Sequence, residues 1–466
     1  MKKTKVTATL LSMTMVGAML AGCASNNEGA DSNTNGSANG TNNAAGTNNA
    51  GASSEPTEKT KISFWKWIPT EGQMPELEAA FEKENPDIDL EVTHVGESGA
   101  YFQKLSAGLA GGEGPDVIAM QVGANANQYK EFLEPLAPFA EQEWGSDWKS
   151  NFLDVALEQA AYSGDDFRVL PGGMTATPVI MYNATMFQKH GLQVPKTLDE
   201  LNNVIKVLKE KEPGNIAGVG IGAKDGWTDR DVFMGIVNEI APGKVYEAQE
   251  GKLAWTDPGI VEALKVWGDL FKNGVFSEGS MGQSPYPNVN DNFTKGKLGM
   301  FSIGTWHLSG LTKVAHDQMV KDKVITEDTH WGMFPFPPLS GGEQNMVATV
   351  DIAWGMNAES KHKEAVWKFI KFMAAGEGQK LWTNTLQVLP SQKGVEVTAE
   401  MAGDTEKESL KTVSEFMSSH ISGARELKYP ELQNGLFDAL QAVALGGKTP
   451  EKAAEDLEAI SKTVQR

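Results

Sequence analysis

The sequence predicts an α/β fold built on a parallel sheet, and three observations carry that expectation. Between Lys61 and Met120, five short segments alternate strand and helix signatures. A second series of alternating segments begins at Val179 and runs to the C-terminus. The 466 residues are 40% hydrophobic and 22% charged, enough to bury a sizeable core over two or three domains and too apolar for global disorder.

Taken in chain order, the first segment is a targeting signal. Lys2, Lys3 and Lys5 form a positive start, Val6 to Leu20 carry no charge, and Leu20-Ala21-Gly22-Cys23 reads as a lipobox. The apolar run is short of the roughly 20 residues a membrane-spanning helix needs. Residues 1–22 are therefore expected to be a lipoprotein signal peptide, and Cys23 the lipidated residue; the other reading is an ordinary signal peptide with a chance cysteine at the cut. From 23 to 59 the chain is mostly Asn, Gly, Ser, Thr and Ala, with almost nothing apolar of any size, and cannot bury enough surface to offset ordering entropy. This is a flexible tether, and at about 5–6 Å × √n it spans on the order of 30–36 Å.

The folded body begins at Lys61. Ile62 to Ile68 is β-branched and aromatic and is stopped by Pro69, which predicts a strand. Leu77 and Phe81 lie four apart in a helix from Pro75 to Glu84, ended by Asn85-Pro86. Ile88 to Thr93 alternates with period two, a half-buried strand. Tyr101, Leu105 and Leu109 mark a second helix, closed by Gly111-Gly112, and Asp116 to Met120 is a buried strand. Such β-α-β-α-β units give parallel sheets with right-handed crossovers. Ligands of open sheets sit beyond the carboxyl ends of the strands. Those ends carry Trp65 to Ile68, Gly96-Glu97-Ser98 and Gln121-Val122-Gly123, so two indoles, a carboxylate and an amide converge.

The second region reads as strands at Val179–Tyr182, Ala217–Ile221 and Leu298–Ser302. Helices are expected at 185–190, 198–210, 260–271, 365–373, 436–445 and 450–464, the last introduced by Thr449-Pro450 as N-cap and first-turn proline.

Composition excludes several functions. Lys plus Arg number 41 against 61 Asp plus Glu, a net charge of −20, so nucleic acid is not an expected partner. One cysteine allows no disulfide framework. No Gly-x-Ser-x-Gly, paired-histidine zinc motif or P-loop occurs, and Gly218-x-Gly220-x-Gly222 lacks dinucleotide spacing. The seven histidines show no metal-ligand spacing, and no cofactor is expected. A glycosidase carboxylate pair remains open among so many acids, although nothing singles one out. Of the twelve tryptophans, Trp267, Trp367 and Trp382 fall on helix patterns and read as core. Trp65, Trp67, Trp227, Trp306 and Trp354 fall at strand ends or in polar loops, where an indole either caps the core or offers its face to a sugar ring.

From Lys61 to the C-terminus the sequence resembles the extracellular solute-binding proteins, family 1, the maltose-binding-protein-like group of carbohydrate ABC importers. The resemblance rests on Phe81-Glu82-x-x-Asn85-Pro86-x-Ile88, Gly114-Pro115-Asp116-Val117, Leu170-Pro171, Met181-Tyr182-Asn183 with Phe187, and Pro195 to Leu201. It continues through Phe293-x-x-Gly296-Lys297-x-Gly299-Met300, Gly304-x-Trp306 and Ser360-Lys361-x-Lys363-Glu364-Ala365 with Phe369. Each motif is weak alone; the order and spacing are jointly specific.

The resemblance implies a type II periplasmic-binding-protein-like fold: two α/β lobes hinged by crossover strands, lobe 1 being 60–172 plus 307–378 and lobe 2 being 173–306 plus 379–466. Ligand would lie between them against Trp65, Trp67, Glu97 and Gln121. Matching positions add Trp227, Asp229, Trp306, Asp351 and Trp354. Thr349 to Trp354 lacks the Gly-Gly pair often found there, so Asp351 or Trp354 would fill that space. The expected function is a lipid-anchored sugar- or oligosaccharide-binding component on the outer face of a Gram-positive cell membrane. It would be a monomer handing an unaltered ligand to ABC permease subunits. The alternatives are a secreted hydrolase or lyase, or the same fold binding a peptide or polyamine.

Overall fold

The computed structural model describes residues 58–162 and 164–466. The expectations for the signal peptide, Cys23 and nearly all of the tether lie outside the described residues.

The first five elements form as their patterns require. β1 (Thr60–Lys66) and β2 (Ile88–His94) pair in parallel from Thr60↔Ile88 to Lys66↔His94, and β3 (Val117–Met120) lies parallel on the other side of β1. α1 (Met74–Glu84), with Pro75 in its first turn, buries Met74, Leu77 and Phe81. α2 (Ser98–Ala110) buries Tyr101, Leu105 and Leu109, and the Tyr101 hydroxyl donates to the Ala119 carbonyl at 2.7 Å, tying the helix to β3. β1 ends at Lys66, one residue before Trp67, so Trp67 and Ile68 belong to the following loop and not to the strand. Because the three strands are parallel, their C-terminal loops share one edge of the sheet.

β4 (Val169–Thr177) leads into β5 (Val179–Asn183). They are followed by β6 (Met300–Ile303), β7 (Trp331–Pro335), β8 (Met346–Met356) and β9 (Ile421–Ala424). β8 is antiparallel to both β3 and β4, which gives the order β2-β1-β3-β8-β4, with β9 parallel to the start of β8. The β4–β8 ladder shifts register around Gly173, where the Pro171-Gly172-Gly173 run interrupts regular pairing. A second, antiparallel sheet has the order β6-β5-β7. The strand expected at 217–221 is reduced to single bridges, Val219↔Phe276 and Gly220↔Phe301, because successive residues pair with two different neighbours.

The buried apolar residues form two cores, and the second sheet contributes to both, Met181, Phe301 and Trp331 to the first and Ile180, Tyr182 and Met300 to the second. On the first, Phe64, Phe81, Phe369 and Phe372 interlock with Trp354 and Trp382. On the second, the helices Gly226–Ile240, Pro258–Lys272, Pro430–Ala444 and Pro450–Ser461 close around Trp255, Trp267, Leu264 and Leu436. The Trp267 ring nitrogen donates to the Leu440 carbonyl at 2.9 Å. β4 and β8 are buried along their whole length in the first sheet, and Val347 of β8 packs into the second core. The ladder between β7 and β5 groups Trp331–Pro335 with the second sheet, although it falls in the range expected for lobe 1. Trp382 packs on Trp354 in the first core, although it falls in the range expected for lobe 2.

Candidate functional site

The site is built around Asp351 on β8, the strand that lies between β3 and β4. Asp351 on β8 accepts from the Gln121 side-chain amide at 2.8 Å, and Asn125 donates to the Gln121 carbonyl at 3.0 Å. Asp351 also accepts from Arg425 at 2.6 Å. Arg425 follows β9 directly and has 3% of its side chain exposed; it further donates to Thr175 on β4 at 3.2 Å and to Glu426 at 3.2 Å, and stands 3.7 Å from Asp231. Burial opposes its charge, but Asp351, Asp231 and Glu426 outweigh that and push its pKa up. Arg230 completes the group, bonded to Glu426 at 2.7 Å and Asp231 at 2.8 Å. Burial raises the Asp231 pKa against the pull of the two arginines.

Beside this network stands an aromatic group. The Trp306 ring nitrogen donates to the Tyr286 hydroxyl at 2.8 Å, and that hydroxyl lies 2.7 Å from His307 Nε2. An indole N–H only donates, so the tyrosine oxygen accepts from it and shares a second hydrogen bond with the imidazole. Burial holds the His307 pKa down to about 4, which keeps the imidazole neutral. The Trp306 ring folds back over Gly304, where a Cβ would collide with the indole; this gives the Gly304-x-Trp306 motif a physical basis. Trp227 tilts against Trp306 with ring centres 5.9 Å apart, both indoles are partly exposed, and the Arg425 guanidinium sits 5.5 Å over Trp306.

Trp227 and Asp229 are in the first turn of the helix Gly226–Ile240, not in a loop. Asp225 precedes that helix and accepts from Ser284 at 3.1 Å, which joins it to the loop carrying Tyr286. Glu97 precedes α2; partial desolvation and the charge of Asp225 raise its pKa. Asp229 has no exposed surface and neither of its oxygens has a hydrogen-bond partner; burial, then Asp225 and Asp231, push its pKa well up.

Residues 67–380 match the profile of the bacterial extracellular solute-binding proteins. The chain belongs to that family. Among relatives of this solute-binding protein are the sn-glycerol-3-phosphate-binding periplasmic proteins UgpB of Shigella dysenteriae and Escherichia coli K12. Each is 23% identical, covering 85% of this chain and 90% of the relative. Similar solved structures include a chitin oligosaccharide binding protein (TM-score 0.71, 24% identity, 87% of this chain and 98% of that one). A second is a substrate-binding protein of Listeria monocytogenes in complex with cycloalternan (TM-score 0.69, 22% identity, 87% and 99%). Maltose-bound MalE3 of T. maritima is a third (TM-score 0.69, 21% identity, 87% and 99%). These likenesses establish the two-lobe, type II periplasmic-binding-protein fold.

Within this solute-binding protein the structure gathers Gln121, Asp351, Trp306 and Trp227, with Glu97 within electrostatic reach through Asp225. It does not bring Trp354 to them. Trp354 is 0% exposed, edge-on to Phe64 and tilted on Trp382, with Gly172 against its ring nitrogen; it is core and has no face free for a solute. Trp65 and Trp67 share the α2 side of β1. Trp65 lies under the Lys104 ammonium at 4.2 Å and against Gly108, and Trp67 packs on Tyr101 and Phe102. Sequence reasoning missed Arg230, Asp231, Arg425, Glu426, Asp225 and Tyr286. A signal existed for two of them: the chain has only four arginines among 41 basic residues, and Arg230 and Arg425 are two of the four. A planar guanidinium is favoured over lysine where several carboxylates must be bridged in a buried place. Among the described residues, no three His, Cys, Asp or Glu side chains are grouped to hold a metal ion.

Proposed function

We propose that this solute-binding protein is the sugar- or oligosaccharide-binding component of an ABC importer and makes or breaks no bond in its ligand. The observation that carries the reading is the pair of partly exposed indoles, Trp227 and Trp306, set beside the hydrogen-bonding groups of Gln121 and Asp351. Indole faces suit the C–H faces of a pyranose, and carboxylates and amides suit its hydroxyls. Relatives and structural neighbours that bind oligosaccharides and maltose add weight. Glycerol phosphate, named for the UgpB relatives, fits less well, because Arg230 and Arg425 are already engaged by Asp231, Asp351 and Glu426.

The proposed lobes are 60–172 with 307–378 and 173–306 with 379–466. Ligand selects the closed arrangement only through its higher affinity for it. Cys23 would carry the lipid that holds the protein, as a monomer, on the outer membrane face beside its permease.

Isothermal calorimetry with neutral mono- and oligosaccharides tests the reading, with sn-glycerol 3-phosphate as a further arm. The expected result is saturable one-to-one binding of a saccharide, no release of reducing ends on incubation, and at least tenfold weaker binding by Trp306→Ala. Absence of binding across a broad saccharide panel overturns it, and catalytic release of reducing ends points instead to a hydrolase.

A further inference from the structure

The Trp306 indole is held from three directions. Gly304 lies under its six-membered ring, where any Cβ would collide with it. Its ring N–H donates to the Tyr286 hydroxyl at 2.8 Å. The Arg425 guanidinium stands 5.5 Å over the ring and covers one face. The indole is nonetheless partly exposed, so its remaining surface is open to a guest. Because the N–H is already engaged, Trp306 offers that guest a ring face and not a hydrogen bond.

The Tyr286 hydroxyl that holds the ring is itself fixed. It lies 2.7 Å from His307 Nε2, with the two ring planes 3° apart. Phe301 of β6 braces the imidazole edge-on, ring centres 5.4 Å apart. The segment bearing Tyr286 is tied down by Ser284, whose hydroxyl donates to Asp225 at 3.1 Å and whose N–H donates to the Asn288 side-chain oxygen at 3.1 Å, and by buried Pro285 and Val289. A chain of contacts thus runs from β6 through Phe301, His307 and Tyr286 to the indole. Its last link depends on the hydroxyl alone: a phenylalanine at 286 would fill the same space and leave the indole N–H without its acceptor. A large side chain that must be ordered during binding lowers affinity, and one ordered beforehand does not.

We propose that Tyr286, braced by His307, is a positioning residue of the solute site: it sets the angle of the Trp306 indole, so that the face on which a pyranose stacks is oriented before the sugar arrives. The inference rests on the sugar-binding reading and adds two residues that act through the indole without touching the sugar.

The test combines calorimetry with the indole N–H resonance of Trp306, assigned by its loss in Trp306→Phe and read with no sugar present. The sugar probe is whichever of maltotriose, cellotriose, triacetylchitotriose and raffinose binds most tightly, or, where none of these binds, the tightest-binding saccharide of the broader panel. Tyr286→Phe removes one oxygen and keeps the ring. It is expected to move the Trp306 resonance upfield while the other indole resonances stay in place, which separates a lost hydrogen bond from lost folding. It is expected to weaken binding about threefold to tenfold in the wild-type background and by no more than about twofold in Trp306→Phe, where the indole N–H is gone. His307→Leu is expected to weaken binding with the same dependence on the indole, and His307→Gln to recover part of the loss. An equal loss from Tyr286→Phe in both backgrounds shows that the hydroxyl meets the sugar or merely holds its own segment, and overturns the inference. So does an unmoved resonance or an unchanged affinity in Tyr286→Phe; each leaves the sugar reading standing. No loss in His307→Leu removes His307 from the role. Failure of every saccharide removes the sugar reading and the inference together.

Discussion

His307 shows how one residue writes a pH dependence into the protein. Its ring nitrogen lies 2.7 Å from the Tyr286 hydroxyl, and burial lowers its pKa from 6.5 to about 4. Above pH 6.5 the imidazole is neutral whether the chain is folded or not, so no stability is lost there. Between pH 6.5 and 4 the unfolded chain takes up a proton that the folded one refuses, and stability falls as the solution is acidified. The full loss is on the order of 3 kcal/mol. His307→Gln keeps a hydrogen-bond partner for Tyr286 without the titration. Its unfolding free energy in urea is expected to drop about 2–3 kcal/mol less than the wild type between pH 7 and pH 4; parallel curves would show that His307 titrates normally. Histidine at 307 was visible beside Trp306 in the sequence, but its tyrosine partner lies twenty-one positions earlier and only packing joins them. The Arg425 cluster follows the same rule on a larger scale. Its partners at 175, 231 and 351 are remote in sequence, and no spacing pattern links them.

At the scale of elements, periodicity located the helices whose one face is buried, such as Tyr101-Leu105-Leu109 and the helix Pro258–Lys272 with Ile260, Leu264 and Trp267 inward. It missed the helix Gly226–Ile240, where Thr228 through Asn238 are all buried, so no polar face alternates with an apolar one. It likewise gave no firm bounds for β4 and β8, which are buried on both faces and lack the alternation of a half-exposed strand. The helix Ala124–Tyr129 supplies an element-scale prediction. Gly123, just before it, has φ +75°, and its backbone faces the 426–427 segment; a Cβ there would lie 2.9 Å from Glu426 Cβ and 3.0 Å from the Leu427 carbonyl. Ala124 N–H donates to that same carbonyl at 2.9 Å, and Asn127 to Lys428 at 2.7 Å. Gly123→Ala is strained in backbone and in space together, and is expected to lower stability by about 1–3 kcal/mol, read as a shift in the urea midpoint. Wild-type stability would mean that the segment from Glu426 to Lys428 yields easily.

For the whole molecule, β4 of the first sheet runs directly into β5 of the second, and solute binding is a matter of population. A ligand that contacts both the Gln121 side and the Trp227 side has more contacts in the closed arrangement and shifts the equilibrium toward it. Small-angle scattering is expected to show a smaller radius of gyration on saturation with a bound saccharide, as hinge closure around a ligand brings the lobes together. Calorimetry is expected to give a negative heat-capacity change as indole surface leaves water. An unchanged radius would mean that the free protein already holds the closed form.

The sequence by itself determined the α/β class, the parallel β1–β3 unit, the edge of the sheet toward which its loops point, and the family. These depend on residues near one another along the chain, where apolar spacing and turn residues decide local structure. It also sorted Trp267, Trp367 and Trp382 into the core, because each lies on a helical stripe. Only the tertiary structure decided that Trp354 belongs with them, that Trp227 meets Trp306, and that Arg230 and Arg425 neutralise three carboxylates from three different stretches. The physical reason is that an indole in a strand has the same local pattern whether it faces a solute or a second core. A charge likewise reveals its partner only when the chain has folded to bring the two together.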